Sequence, residues 1–108
     1  MHTVKNLFVN GQQKSNCKQS AAESIAAIAW YIESKGLLVT AEKFTDDIYD
    51  YFIKLADTKR SYAICRDPAR AVLGYRCVPY KKKYTIVFIE TDKELIVCEF
   101  ISSKLIYW

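Results

Sequence analysis

The stretch Gly74–Glu90, GYRCVPYKKKYTIVFIE, contains two segments with the composition of β-strands, joined by three consecutive lysines. Both segments are rich in Tyr, Val and Ile, which are typical strand residues. The short link Lys81–Lys83 favours an antiparallel pair, because such a pair can be joined by a tight turn. A lone arginine, Arg76, lies inside the first segment. The stretch therefore predicts a β-hairpin with cations at its turn and one more in its sheet.

A further strand is predicted directly after this hairpin, at Glu94–Ile101, following the short link Thr91–Lys93. A second short link again implies antiparallel neighbours, so that the three strands form a meander. Pro79 has no backbone N–H to donate to a neighbouring strand. We therefore expect the strand that contains Pro79 to lie at an edge of the sheet.

Two amphipathic helices are predicted upstream of the meander. Ser20 and Glu23 have the spacing of a capping box at the start of the first helix, and Gly36 follows its end. We expect the second helix to begin at Thr40, with Val39 and Phe44 at the positions of a hydrophobic staple. Apolar residues recur at helical spacing in both segments, at Ile25, Ile28, Ala29 and Ile32 and at Phe44, Ile48, Phe52 and Leu55. The pattern predicts a helical hairpin with one apolar face.

The N-terminal segment is less regular. Thr3–Val9 has the composition of a strand and Asn10-Gly11 is typical of a hairpin turn, so that Gln12–Cys17 is either a second strand or a loop. The predicted fold is α+β and two-layered, with an N-terminal helical hairpin on a small antiparallel sheet in the order β-α-α-β-β-β. A chain of 108 residues is expected to form a single domain, residues 1–108.

The cysteines and the single histidine give no pattern of metal ligands. Cys17, Cys65, Cys77 and Cys98 are widely spaced, whereas zinc sites use closely spaced thiolates and imidazoles. We expect no metal and no other cofactor. The sequence shows no signal-peptide pattern and no apolar run of membrane-spanning length, which favours a cytoplasmic protein that does not enter a membrane. In that compartment we expect all four cysteines to be reduced and to pack as small apolar side chains.

The basic residues are concentrated in the second half of the chain. Residues 1–56 contain six lysines and six acidic residues, whereas residues 57–108 contain ten basic and six acidic ones. Eight of the basic residues lie between Lys59 and Lys83, where Asp67 is the one acidic residue. Such a field attracts phosphate groups or acidic protein segments, although a charged run is more often a solvated surface.

The order of these segments resembles the RelE/ParE superfamily of bacterial toxin–antitoxin modules. The resemblance rests on SIAAIAWYIESKG, AEKFTDDIYDYFIKLAD, GYRCVPYKKKYTIVF and ELIVCEFISSKLIYW. It covers residues 21–108, whereas residues 1–18 match poorly and form either an N-terminal extension or a strand. RelE-like members cut mRNA on the ribosome, ParE-like members inhibit DNA gyrase, and a cognate antitoxin protein neutralises both.

The resemblance implies a basic site on the open face of the sheet. It assigns catalytic roles to Arg76, Lys104 and Tyr107, because RNA cleavage needs a base, an acid and cations around one phosphate. Val78 and Thr85 replace two further basic residues of the RelE-like pattern. The expected contacts with the target, whether gyrase or ribosome and mRNA, are Arg70, Arg76, Lys81, Lys82 and Lys83. An alternative for Arg76 is a structural ion pair with Glu90 or Glu99.

The same face is expected to carry an apolar strip formed by Thr85, Val87 and Ile89, which would bind an antitoxin segment. The alternative is that the chain's own N-terminal segment covers this strip. Tyr84, Ile86 and Phe88 would face the helices. The sequence thus predicts a toxin, with ParE-like inhibition slightly favoured. The alternatives are a RelE-like endoribonuclease and a degenerate member that only binds its antitoxin.

Overall fold

The computed structural model describes residues 14–57 and 62–106, which form a four-stranded sheet with a helical hairpin on one face. The elements are, in chain order, β1 (Lys14–Cys17), α1 (Gln19–Ser34), α2 (Leu38–Asp57), α3 (Pro68–Ala71), β2 (Arg76–Tyr80), β3 (Tyr84–Glu90), β4 (Glu94–Ser102) and a 3₁₀ turn (Ser103–Leu105). The α+β class is therefore as predicted, and the short α3 is an addition.

The sheet is mixed, so the prediction of a purely antiparallel sheet is wrong. Its strand order is β1-β4-β3-β2; β2, β3 and β4 are antiparallel, whereas β1 runs parallel to β4. A parallel pair needs a long crossover, which the helices and the hairpin between β1 and β4 provide. Of the two alternatives for Gln12–Cys17, a strand is found, at Lys14–Cys17. The strand predicted at Thr3–Val9 lies outside the described residues.

The edge position of β2, predicted from Pro79, is confirmed. Strand β2 pairs with β3 along one side, and Pro79 lies opposite Thr85. On its other side, Ile64 forms an isolated bridge with Arg76 near the start of the strand. The outer edge of β2 is therefore partly covered by the residues that precede α3.

The ends of the helices differ from the predicted caps. Helix α1 begins one residue before Ser20, and its N-cap, Lys18, makes no side-chain capping bond. The Ser20 hydroxyl instead donates to the carbonyl oxygen of Cys98 in β4, at 3.2 Å, so the predicted capping box is absent. Gly36, with φ of +80°, follows α1 as expected for a residue in the left-handed region. Val39 is 76 % exposed and lies within α2, so it is not positioned as a staple.

The main core lies between the helices and one face of the sheet. Ile25, Ile48 and Phe52 meet Ile86 and Phe88 there, all at most 1 % exposed, with Tyr84 partly buried beside them. The predicted helix-facing set on β3 is thus confirmed. Burial of this many large apolar side chains is the main favourable contribution to folding.

A second layer of chain covers the opposite face of the sheet. Its core consists of Cys65, Cys77, Val87 and Ile106, with Tyr75 and Ile101 packed against it. Within the described residues, the cover comes from residues 62–75 and from the end of the chain after β4. The alternative, a cover formed by the N-terminal segment, concerns residues 1–13, which lie outside the described part. The second face of the sheet is therefore covered at Cys77, Thr85 and Val87.

Candidate functional site

Four lysines are gathered at one end of the sheet, and we call this group the lysine end: Lys81, Lys82, Lys83 and Lys104. The first three form the turn between β2 and β3. Lys104 lies in the 3₁₀ turn after β4, next to Ser103, whose backbone N–H donates to the carbonyl oxygen of Lys83 at 2.8 Å. All four side chains are exposed, and none forms an ion pair within the described residues. The lysine end is thus a group of exposed positive charges, with Asp47 and Asp50 nearby.

The turn that presents these lysines has an unfavourable backbone conformation. Lys81 and Lys82 have φ of 51° and 65°, values that glycine and asparagine adopt much more readily than lysine. The Nζ of Lys81 lies 5.7 Å from the centre of the Tyr80 ring, within the range of a cation–π contact. Two lysines therefore occupy positions where hairpins favour Asn-Gly.

We predict that Lys81→Asn with Lys82→Gly increases the free energy of unfolding by about 1 kcal/mol. Each lysine in the left-handed region costs about 1–2 kcal/mol, and the double variant relieves this cost. Part of the gain is offset because the new glycine increases the conformational entropy of the unfolded chain. Urea unfolding of the two chains measures this difference. Lys83→Asn is the control, since Lys83 has no positive φ. A double variant that is less stable than the wild type would contradict the assignment of backbone strain to Lys81 and Lys82.

An apolar cleft of about 360 Å³ lies beside the lysine end, between α1, α2 and the β2–β3 hairpin. Its apolar lining includes Ile28, Ile32, Phe44 and Tyr84, and Lys81 and Lys83 lie at its edge with one carboxylate, Asp47. Tyr84 is fixed by stacking on Phe100, with ring centres 4.9 Å apart. The cleft combines apolar contact area with cations, which suits a ligand or partner that has an apolar group beside negative charges.

Arg70, one of the predicted target contacts, is held in structural ion pairs. Its Nε and Nη2 donate to the two carboxylate oxygens of Glu99 at 2.9 and 2.7 Å, and Nη1 donates to Asp67. Hydrogen bonding to Glu99 raises the pKa of Arg70 above its usual value. Val87 pairs with Glu99 and Phe88 pairs with Val97, so that Cys98 is an extra residue, a β-bulge, in β4. Because of this bulge, Glu99 lies on the same face of the sheet as Val87. Arg70 therefore fastens α3 to the sheet.

Arg76 lies on the opposite face from Arg70 and also has partners within the chain. It pairs with Phe88 in the ladder, donates from Nη1 to the carbonyl oxygen of Tyr62, and has Nε 3.9 Å from a carboxylate oxygen of Glu90. The alternative ion pair with Glu90 is thus present, whereas Glu99 binds Arg70 instead. Phe88 lies five positions after Lys83, or about 17 Å along the strand. Arg70, Arg76 and the lysine end do not form one surface.

The predicted apolar strip is mostly buried. Thr85 and Val87 are 0 % exposed and Ile89 is half-buried. The Thr85 hydroxyl lies 2.9 Å from that of Ser103, and Val87 contacts the second core. An exposed docking strip at Thr85 and Val87 is therefore contradicted, because residues 62–75 and 103–106 occupy that space.

The predicted catalytic residues are not brought together within the described part of the chain. Lys104 lies at the lysine end, Arg76 lies at the far end of β2, and Tyr107 lies outside the described residues. The sequence grouped Lys104 with Arg76, whereas the register of the meander places Lys104 beside the lysine turn. In the ladder, Tyr84 lies opposite Ser102, which brings the residues after β4 to the turn before β3.

Two of the four cysteines are joined, so the expectation of four unpaired thiols is wrong. Cys65 and Cys77 form a disulfide, with Cα atoms 4.9 Å apart, while Cys17 and Cys98 are free.

Among residues 14–57 and 62–106, no group of three or more His, Cys, Asp or Glu side chains is arranged to hold a metal ion. Within the same residues, no helix has both the length and the apolar character needed to cross a membrane.

Cys17 and Tyr49 are ionisable groups whose protonated forms are favoured in the folded chain. Burial, and to a lesser extent Cys98, raises the pKa of Cys17 from 9.0 to about 11, although a hydrogen bond with Tyr49 opposes this shift. Burial and the neighbouring Cys17 raise the pKa of Tyr49 from 10.0 to about 12. Because both folded pKa values exceed the unfolded ones, the associated stability is complete below pH 9 and is lost as pH rises through 11 to 12.

We therefore predict that the urea midpoint falls as pH is raised from about 9 to about 11. The double variant Cys17→Ala with Tyr49→Phe should show a smaller fall over the same range, because it removes both groups. Tyr31→Phe, at a tyrosine that is 59 % exposed, serves as the control and should keep the wild-type slope. An unchanged slope in the double variant would contradict the assignment.

No protein-family model matches the chain, and no curated protein matches it.

Proposed function

We propose that this chain is the toxin of a type II toxin–antitoxin module with a RelE/ParE-like fold, and that it inhibits growth by binding its target, as ParE-like members do with DNA gyrase. It would act in the cytoplasm and be neutralised by a cognate antitoxin. The family assignment rests on the resemblance of the helical-hairpin and meander segments. The order strand, helical hairpin, meander is compatible with it.

The observation that supports binding over catalysis is the separation of the candidate catalytic side chains. Cleavage of RNA requires a base, an acid and cations within hydrogen-bond reach of one phosphate. Arg76 is directed to Glu90 and Tyr62, at the end of the sheet opposite Lys104. Among the candidate site residues that the structure describes, the cations without an ion pair are those of the lysine end, and they adjoin an apolar cleft. This arrangement suits a docking surface for an acidic region of a target.

The lysine end also favours a second candidate, a RelE-like ribosome-dependent endoribonuclease. Four exposed lysines without ion-pair partners in the described residues would attract an RNA backbone. In that function the lysine end would hold the message, and residues outside the described part, including Tyr107, would complete the chemistry.

Two assays with the purified full chain separate these functions. The first measures DNA supercoiling by gyrase, and the second maps mRNA ends by primer extension in a reconstituted translation reaction. We expect supercoiling to be inhibited and the message to stay intact. Discrete cuts that require ribosomes would establish the endoribonuclease instead. If neither assay shows an effect, the remaining alternative is a degenerate member of the family that only binds its antitoxin.

The variant Lys81→Asn, Lys82→Asn, Lys83→Gln tests the surface in both assays, because it removes three cations from the lysine end. Its matched control is Lys18→Gln, Lys43→Gln, Lys93→Gln, which removes the same charge from three exposed lysines elsewhere. We expect the first variant to lose most of its inhibition and the control to keep it. Equal losses would mean that net charge matters and the lysine end does not.

A further inference from the structure

The disulfide between Cys65 and Cys77 is the main apolar attachment of residues 62–75 to the second face of the sheet. The buried residues of the second core are Cys65, Cys77, Val87 and Ile106, so that half of them are the disulfide itself. From residues 62–75, Cys65 is the one residue in the buried set, at 3 % exposure. Tyr75 contributes a partly buried ring.

The other large aliphatic side chains of this segment do not anchor it. Ile64, Val72 and Leu73 are 44 %, 82 % and 61 % exposed, so they give little burial against the sheet. In a segment held by its own hydrophobic contacts, such side chains would point inward. Tyr62, at the start of the segment, packs against the main core instead, with its ring centre 5.5 Å from that of Phe88. Beyond Tyr62, the covering segment is held by its cross-link, by the Tyr75 ring and by polar contacts.

The polar contacts of the segment are partly exposed, and one of them is the bond from Arg76 Nη1 to the carbonyl oxygen of Tyr62. The pair Arg70–Glu99 is bidentate, but its side chains are 22 % and 29 % exposed, so that solvent screens part of the interaction. Of two backbone bonds here, the one from the Cys65 N–H to the Tyr75 carbonyl, at 2.9 Å, lies within the segment, and the one from the Cys77 N–H to the Ala63 carbonyl, at 3.4 Å, joins the segment to β2. The second is near the upper limit of hydrogen-bond length.

We propose that Cys65–Cys77 is a redox latch: its reduction by a dithiol frees residues 62–75 and uncovers the second face of the sheet, and its oxidation closes that face. This inference does not depend on the proposed toxin function. It concerns the face on which Val87 is fully buried and Ile101 half-buried. In a reducing compartment the latch would be open for part of the time.

The chemistry is thiol–disulfide exchange. One thiolate of the dithiol attacks a sulfur of the pair, which forms a mixed disulfide and releases the other cysteine as a thiolate. The second thiol of the reductant then displaces the remaining cysteine. The products are two cysteine thiols and the cyclic disulfide of the reductant, so that two electrons and two protons pass to the chain. Because Cys65 and Cys77 are 3 % and 8 % exposed, attack requires a transient opening of the segment.

Hydrogen exchange of the full chain, read by mass spectrometry before and after dithiothreitol, tests the latch. We expect exchange in residues 62–75 to accelerate roughly 10- to 100-fold on reduction, while amides of α2 and β3 stay protected. Alkylation should count two more thiols in the reduced chain than in the oxidised one. The variant Cys65→Ser, Cys77→Ser should reproduce the reduced pattern without reductant.

The matched control is Cys17→Ser, Cys98→Ser, which keeps the disulfide and removes both free thiols. It should respond to dithiothreitol as the wild type does. Equal protection of residues 62–75 before and after reduction would overturn the latch. Loss of protection throughout the reduced wild-type chain would also overturn it, since the disulfide would then support the whole fold. The latch would also be overturned if Cys65 and Cys77 could still be alkylated after the chain had been oxidised in air, because no disulfide would then have formed.

Discussion

Replacing Phe100 by alanine is expected to lower the free energy of unfolding by about 3–5 kcal/mol. Phe100 is 1 % exposed and is surrounded by aromatic rings. Its ring lies 4.9 Å from that of Tyr84, 6.0 Å from that of Tyr80 and 6.5 Å from that of Phe44, measured between centres. The substitution removes buried area and leaves a cavity where α2 meets the sheet.

Urea unfolding followed by circular dichroism measures this loss. Phe100→Leu keeps most of the volume and should cost about half as much or less. Trp30→Ala is the surface control, because Trp30 is 69 % exposed and its loss should change stability by less than about 1 kcal/mol. A cost for Phe100→Ala as small as that for Trp30→Ala would contradict the core described above.

Replacing Val87 by aspartate is expected to cost about 4 kcal/mol or more, enough to unfold many domains of this size. Val87 is 0 % exposed, and its pair in β4 is Glu99. The substitution would bury a carboxylate without a cationic partner of its own, next to an existing one. The result distinguishes a covered second face from an open docking strip, on which aspartate would be tolerated.

Ile89→Asp is the matched control on the same face of β3. Ile89 is half-buried, so its new carboxylate can reach water and the cost should be well under half of that at position 87. Soluble yield and thermal unfolding of the two variants give the comparison. Equal, small costs at both positions would show that residues 62–75 do not cover the sheet.

The sequence predicts the helices and the meander because both depend on local periodicity. Ile48 and Phe52 recur at helical spacing and are buried, and Ile86 and Phe88 alternate and face the helices. Pro79 places its strand at the edge because it lacks a donor, which is a property of a single residue. Such signals need no knowledge of distant contacts.

The features that the sequence did not predict depend on contacts between distant residues. Strand β1 pairs with β4, and Asn16 bonds Glu94, across 78 residues of chain. Arg70 and Glu99 are 29 residues apart, and an extra residue in β4 sets the face on which Glu99 lies. The disulfide joins two of four cysteines whose spacing indicates no pairing. No local periodicity encodes any of these contacts.

The sequence predicts the part of the candidate site that is local, but not the part that depends on contacts between distant residues. The turn at Lys81–Lys83 is local, and the structure places it as expected. Arg70 and Arg76 have the same charge as the turn lysines, but their carboxylate partners lie on other elements. A count of charges along the chain cannot show which cations are paired in this way. The addition of Lys104 required the register between β3 and β4.

The most direct test of the proposed toxin function is the growth of bacteria that express the chain from an inducible promoter. We expect induction of the wild type to stop colony formation, and the lysine-end variant Lys81→Asn, Lys82→Asn, Lys83→Gln to restore it at equal soluble expression. The charge-matched control Lys18→Gln, Lys43→Gln, Lys93→Gln should still stop growth. Unchanged growth with the induced, soluble wild-type chain would contradict the proposal that the chain is a toxin.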